Sequence, residues 1–159
     1  MGYFTAPISN PSGKQRRQRR YLSALGTLNK LEIVNGYYRR REKSGPEKVT
    51  GIHRTILTFE EKGSDVNLAV RLVADAYEHR YERAVVVSND GDLTDAIRIV
   101  RSIGKHVTVI SPQLRVVGSL QQVADEFRPL RVSILAHCQL PDPVIAPDGM
   151  VFDKPKEWT

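Results

Sequence analysis

The sequence predicts an α/β layered fold, and three consecutive observations carry that reading. Residues Ala84-Val85-Val86-Val87-Ser88 form an apolar run without alternation, the pattern of a strand covered by helices on both faces and central in a parallel sheet. Leu93, Ile97, Val100 and Ile103 then recur at helical spacing and stop at Gly104, a residue suited to a helix C-terminus. Val107-Thr108-Val109-Ile110 returns to strand formers and ends at Ser111-Pro112. Strand, helix and strand joined by short connections make a βαβ unit, and that unit defines an α/β layer.

The other elements follow in order. Tyr3 to Ile8 is rich in strand formers and is stopped by Asn10-Pro11-Ser12-Gly13, a cluster of turn residues. From Gln15 to Leu28, Tyr21, Leu22, Leu25 and Leu28 mark the apolar face of an amphipathic helix whose other side is basic. Leu31 to Tyr38 reads as a second strand, broken near Asn35-Gly36. Arg39 to Thr50 is polar and reads as an exposed connection, and Val49 to Phe59 as a third extended segment. After Gly63, Val66, Leu68, Ala69, Leu72, Val73, Ala76 and Tyr77 predict a helix with one buried face, opened by Ser64 and Asp65. Leu120 to Phe127 predicts a short helix, Pro129 to Val132 a brief strand and Ser133 to Cys138 a helical turn. Pro141, Pro143, Pro147 and Pro155 make the end of the chain an extended surface segment. The expected organisation is one domain over 1–140 with a proline-rich tail over 141–159 on or near it.

Composition narrows the function classes. With 159 residues, 40% hydrophobic and 26% charged, the chain has the make-up of one globular domain, and no apolar run approaches the ~18 residues of a membrane span. The basic start lacks an apolar core and a small-residue cleavage site, which predicts a cytoplasmic protein rather than a secreted one. Cys138 is the single cysteine, so no intrachain disulfide or multi-thiolate zinc site exists, and a buried structural thiol is expected. The net charge of +6 is concentrated in two clusters, Lys14, Arg16, Arg17, Arg19 and Arg20, then Arg39, Arg40, Arg41, Lys43 and Lys48. Such clusters attract a polyanion, because each neutralised phosphate releases counterions. A solvated helix face and a charged loop are the plainer alternative.

Asn89-Asp90-Gly91-Asp92 stands at the carboxyl end of the most apolar strand and at the start of a helix, where open α/β sheets form their sites. Glu60-Glu61-Lys62-Gly63-Ser64-Asp65 places further acids at another helix entry. Converging carboxylates repel unless a cation sits between them, and hard ions such as Mg²⁺ or Mn²⁺ prefer oxygen ligands of this kind. A metal held there would orient a water for in-line attack on a phosphodiester. Asp95, one helical turn from Asp92, is either an outer ligand or a surface acid, and helix capping is the competing role for Asp90 and Asp92. His53, His79, His106 and His137 share no motif, and neither a G-x-x-x-x-G-K phosphate loop nor a G-x-S-x-G elbow is present.

Three ordered blocks, Glu60-Glu61-Lys62-Gly63-Ser64-Asp65-Val66-Asn67-Leu68-Ala69, Val85-Val86-Val87-Ser88-Asn89-Asp90-Gly91-Asp92-Leu93 and Gly104-Lys105-His106-Val107, resemble the NYN domain, a PIN-like nuclease family. The early Tyr3-Phe4-Thr5-Ala6 and Tyr21-Leu22 with Ala24-Leu25, and the late Leu140-Pro141-Asp142 and Lys154 to Trp158, are similar to the family's ends. The resemblance implies a three-layer domain with a mostly parallel central sheet flanked by helices, RNA as substrate, and Mg²⁺ or Mn²⁺ in an acidic pocket. It assigns Asp65, Asp90 and Asp92 as catalytic metal ligands, with Ser88, Asn89, Asp95 and Lys62 around them. Arg16, Arg17, Arg19, Arg20, Arg39, Arg40 and Arg41 are then the nucleic-acid contacts. The family pattern opens with a strand carrying a further Asp, which has no counterpart before Met1-Gly2-Tyr3. The activity implied is a metal-dependent endoribonuclease, with an RNA-binding or scaffolding module of impaired turnover as the alternative. A homo-oligomer or a partner chain completing the sheet fits the same pattern.

Overall fold

The computed structural model describes residues 1–8, 13–113 and 118–158. The turn expected over Asn10-Pro11-Ser12 therefore lies outside the described residues. The chain divides into two compact units, Met1–Ser64 with Asp142–Thr159, and Asp65–Pro141.

In the first unit, β1 (Gly2–Thr5) pairs in parallel with β2 (Glu32–Asn35), and α1 (Gly13–Leu25) connects them. Parallel neighbours need such a crossover, since a tight turn returns only an antiparallel strand. Ala24 and Leu25 are the buried residues of α1, and Tyr21 packs edge-on to both Tyr3 and Trp158 with ring centroids 6.1 and 5.7 Å apart. The strand expected over Leu31 to Tyr38 does break at Gly36, whose N–H donates to Thr5 O at 2.7 Å. A Cβ at Gly36 would meet Lys62 O at 2.5 Å and Ser64 N at 2.9 Å, so only glycine fits this crossing.

Beyond Gly36 the chain forms a long antiparallel ribbon, β3 (Tyr37–Pro46) with β4 (His53–Lys62). The expected exposed connection from Arg39 is thus a strand, though its exposure is as expected. The pattern hid it because neither face of the Arg39–Ser44 stretch is apolar, so no period-2 signal survives. Glu47 closes the turn by donating its N–H to Ile52 O at 2.9 Å, with Gly51 at φ 69°. The tail carries two short antiparallel strands, β8 (Val144–Ile145) and β9 (Val151–Phe152).

In the second unit, α2 (Ser64–Tyr77, its first residue being the last of the first unit) precedes β5 (Arg83–Val87), a 3-10 turn (Gly91–Leu93), α3 (Thr94–Ser102) and β6 (His106–Ser111). The expected βαβ unit is present, with β5 and β6 parallel in the register Arg83↔His106 through Val87↔Ile110. Gly104, at φ 81°, ends the helical stretch as the sequence predicts. α4 (Gly118–Val123), β7 (Glu126–Pro129) and α5 (Val132–His137) follow, and β7 lies parallel to β6. The core of this unit joins Leu72 and Ala76 of α2, Val86 of β5, Leu93, Ala96, Ile97 and Val100, Val107 and Val109 of β6, and Leu120 of α4.

Three expectations need correction. The α/β class holds, but the described strands are hydrogen-bonded as four small sheets, β1-β2, β3-β4, β5-β6-β7 and β8-β9, not one mostly parallel central sheet. Among the described strands, β3 and β4 pair only with each other, as an antiparallel ribbon. Second, β5 is not covered on both faces: it is an edge of its sheet, Val86 is buried, and Val85 and Val87 are 63% and 58% exposed. On α2, Val66 and Tyr77 are likewise exposed while Leu72 and Ala76 are buried. Third, Cys138 is exposed, because it directly follows α5, a helix with no buried residue.

Candidate functional site

The corner after β5 is built by backbone capping. Val87 ends the strand, and three residues later the Asp90 carboxylate accepts the Asp92 N–H at 3.0 Å, closing the first turn of the 3-10 segment. The Asp90 N–H in turn donates to Ser88 Oγ at 3.1 Å. Thr94 Oγ1 donates to Gly91 O at 2.6 Å, tying the turn to the start of α3. Leu93, 1% exposed, anchors the whole turn in the core. Asp90 is half-buried and Asp92 exposed, so both carboxylates reach solvent from a backbone that has little freedom.

A neighbouring strand holds the polar flank. Ser111, fully buried at the end of β6, lies with its Oγ 3.1 Å from Asn89 Oδ1, and Asn89 Nδ2 donates to Gln113 Oε1 at 2.9 Å. Sequence reasoning named Ser88 and Asn89 but missed Ser111 and Gln113. The available signal was positional: Ser111 ends the parallel neighbour of β5, at the same carboxyl edge as Asn89. Ser111 Oγ also lies 3.0 Å from Gln113 O, so the buried hydroxyl ties the Asn89 amide to the Gln113 backbone.

Asp65 lies exposed on the first turn of α2, where a carboxylate is favoured by the helix dipole. Asp95 pairs with Arg98 on α3 and is a surface acid. Lys62 sits 3.6 Å from Glu60 on β4, within the ribbon. Among the described residues, no group of three or more His, Cys, Asp or Glu is placed to hold a metal ion. Asp65, Asp90 and Asp92 are therefore not gathered into one preformed donor cluster. A hard divalent ion does not require such a cluster, since Mg²⁺ is often held by one or two carboxylates with waters and substrate phosphates completing the shell.

The basic clusters are separate surfaces of the first unit. Arg16, Arg17 and Arg20 of α1 line a depression with Lys154 and Lys156 of the tail, beside Asp153 and Glu157. Arg17 Nη1 lies 3.3 Å from Glu157 Oε1, which leaves the cations in excess. Arg19 lines a different hollow, with Pro7, Ile8 and Gln18. On the ribbon, Arg41, Lys43 and Lys62 converge on Glu60 at 3.6, 3.0 and 3.6 Å. The hydrogen bond from Lys43, reinforced by the charges of Lys43, Arg41 and Lys62, holds the Glu60 carboxyl below its ordinary range. No helix among the described residues is long and apolar enough to cross a membrane.

Known proteins place this architecture. The 6-hydroxy-3-succinoylpyridine 3-monooxygenase HspA of Pseudomonas putida is 30% identical over 98% of this chain and 56% of its own length. The chain thus spans little more than half of that relative. The low amplitude and bright protein LabA of Synechococcus elongatus is 23% identical over 80% of each chain. A crystal structure of a protein of unknown function from Vibrio parahaemolyticus shares the fold with a TM-score of 0.52, at 23% identity over 80% of this chain and 67% of the other. The NYN domain model matches residues 13–131, and the chain belongs to the NYN domain family, whose members are generally nucleases.

Proposed function

We propose that this chain is a ribonuclease that hydrolyses RNA phosphodiester bonds with Mg²⁺ or Mn²⁺ at the corner formed by Asp90 and Asp92. The observation that carries the reading is the fixed pair of carboxylates at the carboxyl end of a parallel strand, with Ser88 and Asn89 hydrogen-bonded beside them. When bound there, Mg²⁺ or Mn²⁺ supplies an activated water and neutralises charge on the reacting phosphate. Asp90 and Asp92 hold the ion together with a phosphate oxygen of the substrate. The Asn89 amide and the Ser88 hydroxyl orient the phosphate or its attacking water. Asp65 is the third acid of the reading, and its exposed position makes it an accessory ligand. Arg16, Arg17, Arg19 and Arg20 supply phosphate contacts that raise affinity without reading sequence.

Asparagine variants test the reading well, because Asn caps a helix about as well as Asp and removes only the charge. Cleavage of labelled RNA in Mn²⁺ should stop with chelator and fall by about a hundredfold or more in Asp90→Asn and Asp92→Asn, the scale of losing a group that stabilises transition-state charge. Asp65→Asn should lose less. Full activity of both corner variants would remove the assignment.

A second reading, an RNA-binding module without turnover, is favoured by the lack of a preformed three-donor group among the described residues. It predicts salt-sensitive RNA binding with no cleavage in any divalent ion. The name of HspA supplies a further control: turnover of 6-hydroxy-3-succinoylpyridine with no action on RNA would replace both readings by a small-molecule enzyme.

A further inference from the structure

The register of the β3–β4 ribbon sorts its charges by face. Side chains alternate across a strand, and directly paired residues share a face. Tyr37↔Lys62, Arg39↔Glu60, Arg41↔Thr58, Lys43↔Ile56 and Gly45↔Arg54 therefore occupy one face. It carries five cations and a single acid, Glu60. Tyr38↔Glu61, Arg40↔Phe59, Glu42↔Leu57, Ser44↔Thr55 and Pro46↔His53 occupy the other, with one Arg against two Glu. Arg40 there lies 3.5 Å from Glu42. The run Arg39-Arg40-Arg41, continuous in sequence, is thus split between a cationic face and a nearly neutral one.

The cationic face is open. Arg39, Arg41, Lys43, Arg54 and Lys62 are all exposed, and so is Tyr37 at its base. Its acids do not cancel it: Glu60 is shared by Arg41, Lys43 and Lys62, and Arg54 reaches Glu47 of the turn at 3.5 Å. Arg39, Arg41 and Lys43 follow one another every second residue, about 6.7 Å apart along the strand. That repeat is close to the spacing of successive phosphates along an extended single strand. Tyr37 offers an aromatic surface at the end of the row, and cations beside an aromatic platform are the usual means of holding single-stranded nucleic acid.

The geometry points to this face as a track for single-stranded RNA, with Arg39, Arg41 and Lys43 on successive phosphates, Arg54 and Lys62 flanking them, and Tyr37 stacking on a base. The inference rests on RNA being the substrate, and it adds the residues that capture the strand and its single-stranded state. Shape argues against a duplex, since one straight row of cations serves one backbone.

The test measures binding of the full chain to a labelled single-stranded RNA, to a duplex of the same sequence and to anionic phospholipid vesicles. Arg39→Ala/Arg41→Ala/Lys43→Ala should weaken single-strand binding at least tenfold and reduce the slope of log K against log salt by about 2, roughly 0.7 per lost phosphate contact. Arg41→Ala alone should cost several-fold more than Arg40→Ala, and Tyr37→Leu should weaken binding without changing the slope. Equal losses from Arg40→Ala and Arg41→Ala, equal affinity for duplex, or preference for the vesicles would overturn the inference. Asp92-dependent cleavage together with normal RNA binding by the triple variant would sink the track and leave the nuclease reading standing. A wild-type chain that binds no RNA would sink both.

Discussion

The corner after β5 and the β3–β4 ribbon both present charge, yet the chain builds them by opposite means. At the corner the backbone is pinned first: Asp90 caps the Asp92 N–H, Leu93 is sunk in the core, and buried Ser111 steadies Asn89 from the next strand. On the ribbon almost nothing is pinned by packing. All but Tyr38, Gly45, Thr58 and Glu60 of its paired residues are exposed, and position comes from cross-strand register. The difference fits the roles proposed for the two regions. Reacting groups need placement to fractions of an ångström, which a capped corner over a core supplies. Capture of a polyanion needs accessible charge at a regular spacing, which an exposed ribbon supplies.

The largest structural effect should separate the two regions by stability. Ile97, 0% exposed on α3, supports the corner from beneath, and Ile97→Ala should cost about 2–5 kcal/mol by opening a cavity. Ile56 on the ribbon is 60% exposed, and Ile56→Ala should stay within about 0.5 kcal/mol. Urea unfolding of the two variants compares them directly. Similar losses would break the contrast between a packed corner and an unpacked ribbon.

Acid should also reach the second unit through Asp125. The Val107 N–H donates to Asp125 Oδ2 at 2.8 Å and Arg101 Nε to its Oδ1 at 2.8 Å. The backbone hydrogen bond from Val107, with help from Arg101 and against some desolvation, holds the Asp125 carboxyl below its ordinary value. A depressed carboxylate stabilises the fold fully above its unfolded pKa of about 3.9, and the contribution is lost as pH falls through the lower folded value. Urea midpoints followed downward from pH 6 should therefore drop below about pH 4 in wild type, and less steeply in Asp125→Asn, whose amide oxygen still accepts from Val107. Parallel curves would remove Asp125 from the account.

The smallest effect should come from the polar flank of the corner. Ser111→Ala leaves the Asp90–Asp92 cap intact and removes the hydroxyl that meets both Asn89 Oδ1 and the Gln113 backbone. RNA turnover should fall modestly, while RNA affinity holds. Loss of affinity with normal turnover would move Ser111 out of the positioning role.

Much of this was legible in the residues. The βαβ unit, the break at Gly36, the cap at Gly104 and the acids after β5 all have local signatures, because capping, turn chemistry and helical spacing act over a few residues. The ribbon was half legible: its exposure follows from Arg39 to Lys43, but strand pairing of β3 depends on β4, a partner beyond the reach of a local pattern. Val85 and Val87 misled for the same reason, since an apolar run records what a strand can bury and not which faces are covered. Cys138 shows the limit of residue-type averages, for a short helix with no buried side chain carries its neighbour to the surface. Ser111 carried only a positional signal at the end of β6, because its link to Asn89 forms only once β5 and β6 are parallel neighbours.

Asp92 is proposed to serve chemistry and not capture, and one paired measurement separates the two. Wild type and Asp92→Asn would be compared for binding and for cleavage of the same single-stranded RNA in Mn²⁺. Affinities should agree within about twofold, and cleavage should fall by about a hundredfold or more in Asp92→Asn. Cleavage at the wild-type rate in Asp92→Asn would contradict the proposal.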